Sequence, residues 1–170
     1  MKNMSRELHI VGFQVGRETY GVPITSLHEI VRVPEITAVP DAPDYLEGVI
    51  NLRGKIVSVM DLRKRFGQKQ ATLKKQNRIL VVEHQGRLAG LIVDSASEVL
   101  KISADAVEAP PAAFQEGGLN CVTGLGKVAG RLVVLLDMSK LLAPGSLGVK
   151  NENGEKKAAA NSEARGAAAR

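Results

Sequence analysis

The chain repeats itself. The segment HIVGFQVGRETYGVPITSLHEIV, starting at His9, lays over RILVVEHQGRLAGLIVDSASEVL, starting at Arg78, with one gap. The overlay pairs Gly16 with Gly86, Gly21 with Gly90 and Glu29 with Glu98. Further on, KIVSVMDL from Lys55 lays over RLVVLLDM from Arg131 and pairs Asp61 with Asp137. Two matches in the same order mark an internal duplication, which limits the architecture to two related units before any single element is assigned.

Inside each copy the apolar runs are short and regularly punctuated. His9 to Val15, Thr19 to Val22, Leu27 to Val33, Gly48 to Leu52 and Ile56 to Asp61 read as strands, and a short helix, Leu62 to Phe66, is stopped by Gly67. The same grammar resumes with Ile79 to Glu83, Leu88 to Val93, Ser97 to Ile102, Val122 to Val128 and Arg131 to Asp137, closed by a helical Met138 to Leu142. Five short strands joined by tight turns suit a small closed barrel that hides its sheet edges. The expected fold class is all-β: two similar five-stranded barrels, one over roughly 8–67 and one over roughly 77–142, with exchange of terminal segments allowed. Together they form one unit over 1–142. The tail 143–170, rich in Ala, Gly, Lys and Glu, is expected to be disordered.

A chain of 170 residues can bury such a core without disulfides, and its single cysteine, Cys121, cannot form one internally. No apolar run has the length of a signal peptide core or a membrane span, so a cytoplasmic location is expected. The formal charge of +5 is concentrated between Arg63 and Arg78, a stretch without an acidic residue. That run could contact nucleic acid. It also reads as a solvated helix end in which Arg63, Lys64 and Arg65 complement the C-terminal dipole. With Phe13, Tyr20, Tyr45, Phe66 and Phe114 as the only aromatics, base-stacking platforms are not expected.

The motifs that could carry chemistry mostly resolve into structure. GLGKVAG, Gly124 to Gly130, looks like a phosphate loop, but RLVVLLD after it is a strand where a phosphate cradle needs a helix. Asp61 and Asp137 stand at strand-to-helix junctions and read as helix N-caps. The histidines His9, His28 and His84 are isolated, and Cys121 has no neighbouring base in sequence. No catalytic residue, cofactor or metal site is expected.

One position stands out. In GVINLRGKIVSVMDL, Gly54 supplies the positive φ of a tight turn between two strands, whereas turn chemistry does not explain Arg53 beside it. The corresponding turn of the second copy carries no arginine, which points Arg53 toward a partner. An internal salt bridge with Asp44 or Glu47 is the alternative. Glu29 and Glu98 should point outward by strand alternation.

The stretch VPDAPDYLEGVINLRGKIVSVMDLRKRFG, with GLIVDSASEVL and TGLGKVAGRLVVLLDMSKLL after it, resembles the CheW family of bacterial chemosensory coupling proteins from about Leu8 to Leu142. The resemblance implies two SH3-like barrels and a non-catalytic scaffold. Such a scaffold joins a chemoreceptor's cytoplasmic signalling hairpin to the regulatory domain of a CheA-type histidine kinase, in arrays at the inner face of the membrane. It also implies a receptor-binding surface made of Arg53 in the NLRG turn, Gly48 before it, Leu27 and Glu29 in SLHEI, and Val99 on the facing strand of the second barrel. The kinase-facing residues are left unassigned. A chemosensory pathway that controls surface motility or second-messenger output would fit the same residues.

Overall fold

The structure, a computed structural model, describes residues 6–67, 73–115 and 120–143. The disordered tail expected over 143–170 therefore lies, from 144 onward, outside the described residues. Along the chain the elements are β1 Glu7–Val15, β2 Glu18–Pro23, β3 Leu27–Arg32, β4 Leu46–Leu52, β5 Lys55–Asp61 and α1 Leu62–Arg65. They continue with β6 Arg78–His84, β7 Arg87–Val93, β8 Ser95–Ser103, β9 Val107–Glu108, β10 Val122–Val128, β11 Arg131–Leu136 and α2 Met138–Leu141. The all-β expectation is met, and only the short strand β9 was not foreseen.

The strands form two sheets. One has the order β8-β1-β2-β11-β10-β9 and the other β3-β6-β7-β5-β4. The sheets cut across the division at residues 67 and 77. Each half of the chain lends its first hairpin to the sheet built by the remaining strands of the other half: β1 and β2 sit between β8 and β11, and β6 and β7 sit between β3 and β5. The cause is local. Only Asp94 separates β7 from β8, and one residue cannot reverse a strand. A single 3-10 turn, Ile24–Ser26, separates β2 from β3. At both corners the chain passes to the other sheet instead of folding back.

The swap explains why these strands read as unbroken apolar runs. On β6, Ile79 and Val81 fill the interior of the five-stranded sheet with Ile50, Val57, Val59 and Ile92. Leu80 and Val82 turn the other way, into a core shared by both sheets with Val11, Phe13, Val22, Leu91, Val134 and Leu136. The six-stranded sheet encloses Ile10, Leu100, Ile102, Val133 and Leu135. A strand buried on both faces loses the alternation that a half-exposed strand shows.

The N-cap readings hold at both helices. Asp61 accepts from the Arg63 backbone N–H at 2.9 Å, and Asp137 accepts from that of Ser139 at 2.9 Å. GLGKVAG is a hairpin, with β10 running to Val128 and β11 starting at Arg131.

Candidate functional site

The β4–β5 turn places Arg53 at φ 50° and Gly54 at φ 89°, so both central residues lie in the left-handed region of a type I′ hairpin. Two other hairpins repeat the geometry, with Gln85 before Gly86 and Ala129 before Gly130. The backbone thus accepts glutamine or alanine where arginine stands, and a non-glycine residue there costs roughly 1 kcal/mol. Turn formation does not select Arg53.

Its guanidinium is paired with Glu29 on β3, which ties the β4–β5 turn to the opposite edge of the same sheet. Two sequence expectations are corrected here. The internal partner is neither Asp44 nor Glu47, and Glu47 instead takes Lys64 at 2.6 Å. Glu29 does not point outward, because Leu27, Glu29 and Val31 are half-buried while His28, Ile30 and Arg32 are exposed.

The second copy has the same clamp. Arg131 donates to Glu98 at 2.9 Å, joining the start of β11 to β8. The arginine comes from the strand that follows the turn rather than from the turn itself, so a residue-by-residue overlay pairs it with Lys55 and hides the equivalence. Absence of an arginine from the second turn is therefore no argument that Arg53 serves a partner. The repeated pair is a device of the fold that each half builds in its own way.

The remaining site residues separate into backbone and surface. Gly48 has φ +145°, and a Cβ there would lie 2.0 Å from the Thr37 carbonyl oxygen. The glycine lets the Thr37 segment bridge to Val49, whose carbonyl accepts from Thr37 N–H at 2.9 Å and whose N–H donates back at 2.8 Å. Leu27 is half-buried against the shared core. Val99 lies on β8 of the other sheet, beside Glu98 and paired across to Val11, and is 55% exposed. Arg53 and Glu29 are brought together, Leu27 lies two residues from Glu29, and Val99 belongs to the copy of that site on the second sheet.

Sequence reading named Val99 but missed Ile30, Ile56 and Leu132, the other exposed apolar residues near the clamps in sequence. Ile30 follows Glu29 as Val99 follows Glu98, and Ile56 precedes Val57 as Leu132 precedes Val133; all four are exposed, Ile56 at 67%. The signal was present in the duplication, since these four residues align in pairs. Isolated exposed apolar residues are ordinary, but the same pairs repeated beside two equivalent ion pairs are a surface pattern.

Among the described residues the basic run does not form a continuous patch. Arg63 is buried, with its Nε 3.0 Å from an Asp61 carboxylate oxygen, and it reaches Asn77 at 3.3 Å and Asp94 at 3.5 Å. Burial works against its charge, but the hydrogen bond and charge of Asp61, with help from Asp94, hold its pKa above the ordinary value. Arg65 lies over the Tyr45 ring, 5.4 Å from its centroid. Asp94 also accepts from Gly16 N–H at 2.7 Å, so the network ties the turn of one sheet to the helix that follows the other.

Groups that could do chemistry are locked into the core. Burial raises the Cys121 pKa, which keeps it an unreactive thiol. Tyr20 is pushed up to about 12, by burial first and then by the Glu18 charge, and its ring stacks on Phe66 at 4.8 Å. Among the described residues no group of His, Cys, Asp and Glu side chains could hold a metal ion. No described helix is long and apolar enough to cross a membrane.

Two interleaved small sheets, with paired charges and exposed apolar side chains as their surface features, define a binding scaffold. The CheW-like domain family matches residues 9–144, and the chain belongs to that family. The chain is 36% identical to the chemotaxis protein CheW of Helicobacter pylori, an alignment covering 79% of this chain and 81% of the relative. It is 34% identical to the chemotaxis protein CheW of Klebsiella aerogenes, covering 77% and 79%. The crystal structure of the scaffolding protein TtCheW from Thermoanaerobacter tengcongensis superposes with a TM-score of 0.72 at 39% identity, covering 78% of this chain and 90% of that one. The chain is accordingly a chemotaxis scaffold of the CheW family and not an enzyme.

Proposed function

We propose that the protein couples the cytoplasmic signalling hairpin of a chemoreceptor to the regulatory domain of a CheA-type histidine kinase, in arrays at the inner face of the membrane. The observation that supports this most directly is exposed apolar side chains close in sequence to a charged clamp: Ile30 follows Glu29 on β3, and Ile56 lies on β5 just after the turn that carries Arg53. Apolar side chains supply contact area to a docking helix, and the ion pair fixes register and discriminates partners. In this reading Arg53, Glu29, Leu27 and Val99 belong to the receptor-facing surface, and Gly48 acts through the backbone bridge it permits. Coupling needs only that the scaffold bind the two receptor states with different affinity, so that receptor state biases the kinase equilibrium.

The test is titration of the purified protein with a receptor signalling hairpin and, separately, with a kinase regulatory domain. Both should bind. Arg53→Glu should weaken hairpin binding by more than about 1 kcal/mol while leaving Tm nearly unchanged, because the Arg53 side chain is largely exposed. Wild-type protein that binds neither partner would overturn the coupling function, and a variant that unfolds would remove Arg53 from the docking surface.

A further inference from the structure

His28 distinguishes the two clamps. It precedes Glu29 on β3 at a point where the register with β6 shifts between Leu27 and Glu29, and its counterpart in the second copy is Ser97. The β1–β8 register shifts at the corresponding place, between the partners of Ala96 and Glu98, so the backbone irregularity is shared and the imidazole is not. The His28 Nε2 lies 3.9 Å from Glu29 Oε2, the same oxygen that receives Arg53. The Nδ1 on the other side of the ring lies 4.0 Å from Glu83 Oε1 on β6. Four charged or titratable groups from three elements thus form a row, Arg53, Glu29, His28 and Glu83, on the surface assigned to docking.

We infer that His28 is a positioning residue for Arg53: its protonation draws the Glu29 carboxylate toward the imidazole and frees the guanidinium for a carboxylate on the docking partner. This rests on the receptor-docking reading of the surface. Histidine is the side chain whose charge ordinarily changes between pH 5 and 8. A neutral imidazole leaves Glu29 to Arg53. An imidazolium competes for the same oxygen, repels the guanidinium and adds positive charge to the surface, while Glu83 steadies it from β6. The clamp of the six-stranded sheet has no imidazole between Glu98 and its neighbours, so Arg131 should show no such dependence.

The experiment uses the full chain in two arms. In the first, NMR without any partner follows His28 Cε1–H and the Arg53 and Arg131 Nε–Hε resonances from pH 5.5 to 8. The Arg53 resonance should move with the same midpoint as His28, should stop doing so in His28→Gln, and the Arg131 resonance should stay fixed. An Arg53 resonance that is insensitive to pH, or that moves equally in His28→Gln, overturns the inference. In the second arm a receptor hairpin is titrated at pH 6 and pH 8. Wild type should bind about two- to fivefold more tightly at pH 6, within the range that an exposed charge pair can supply, and His28→Gln should lose that difference. Equal or weaker wild-type binding at pH 6 overturns the role of His28 in docking. A hairpin that binds neither protein at either pH overturns the docking function itself, while the first arm still decides whether His28 controls Arg53.

Discussion

At the helix that ends the first half, Arg63 lies buried against Asp61, Asn77 and Asp94; at the helix that ends the second, the same position is Ser139, exposed, with its hydroxyl donating to Asp137 at 2.6 Å. The two sites share a backbone plan and an N-cap aspartate. They differ in what fills the end of the sheet beside them. In the five-stranded sheet the guanidinium and its partners occupy that end. In the six-stranded sheet Leu8, Ile10, Thr25, Leu135 and Leu136, with Arg6, Glu7 and His9 also on its lining, border an open groove of about 480 Å³. The duplication therefore preserved strands, turns, bulges and clamps, while the charges packed inside diverged.

The comparison would break most completely if either half could fold alone. Because β1 and β2 are held between β8 and β11, and β6 and β7 between β3 and β5, each half lacks the central hairpin of its own sheet. A fragment of residues 1–72 and a fragment of residues 73–170 should each give no cooperative thermal transition. Mixing them should restore one, with near-ultraviolet circular dichroism of the intact chain. A cooperative transition in either fragment by itself would mean that the hairpins can pair within their own half.

A smaller effect separates the two helix ends. Arg63→Met leaves the Asp61 carboxylate buried without its cation, which costs about 3–5 kcal/mol in the breaking of a buried pair. Ser139→Ala should change stability by no more than about 0.5 kcal/mol beyond the loss of one exposed hydrogen bond. Urea unfolding of the two variants measures the contrast, and the double variant Asp61→Asn with Arg63→Met should recover part of the loss. Equal, small effects at both positions would show that the Arg63 network is not what holds the two sheets in register.

The duplication, the strands, the turns and both helix caps were legible because each has a local cause: a repeated run, a glycine after a turn residue, an aspartate before a helix. Exchange of terminal segments was allowed for, but which hairpins cross was not legible, since the cue is the brevity of the Asp94 corner, and a sequence read in contiguous halves passes over it. Arg53 was singled out correctly as unexplained by its turn. Its uniqueness was a misreading, because Arg131 reaches Glu98 from a position two residues out of step. Arg63 was misread as a solvated helix-end cation because Asp61, two residues away, was read only as a helix cap, and its other partners, Asn77 and Asp94, are distant along the chain. Gly48 shows the opposite case. The resemblance implied a place for it on the receptor-binding surface, and what no sequence pattern showed is the Thr37 carbonyl that leaves no room for a side chain there.

The smallest contrast lies between the caps. Asp61 shares its carboxylate between the helix N-terminus and a buried guanidinium, whereas Asp137 caps its helix with Ser139 as its one side-chain hydrogen-bond partner among the described residues. The Ser139 hydroxyl, working against partial burial and assisted by backbone N–H groups, holds the Asp137 pKa below the usual carboxylate value. A carboxylate depressed in this way stabilises the fold at every pH above its unfolded value, about 3.9, and the contribution fades as pH falls through the lower folded value. Asp137→Ala should therefore cost about 1 kcal/mol, unchanged from pH 7 down to about pH 5, and the gap to wild type should narrow below about pH 4. Chemical denaturation at a series of pH values reads this directly. A gap that stays constant into that acid range would mean that the cap acts through its oxygen as a neutral acceptor, and that its charge, unlike that of Asp61 beside Arg63, contributes nothing.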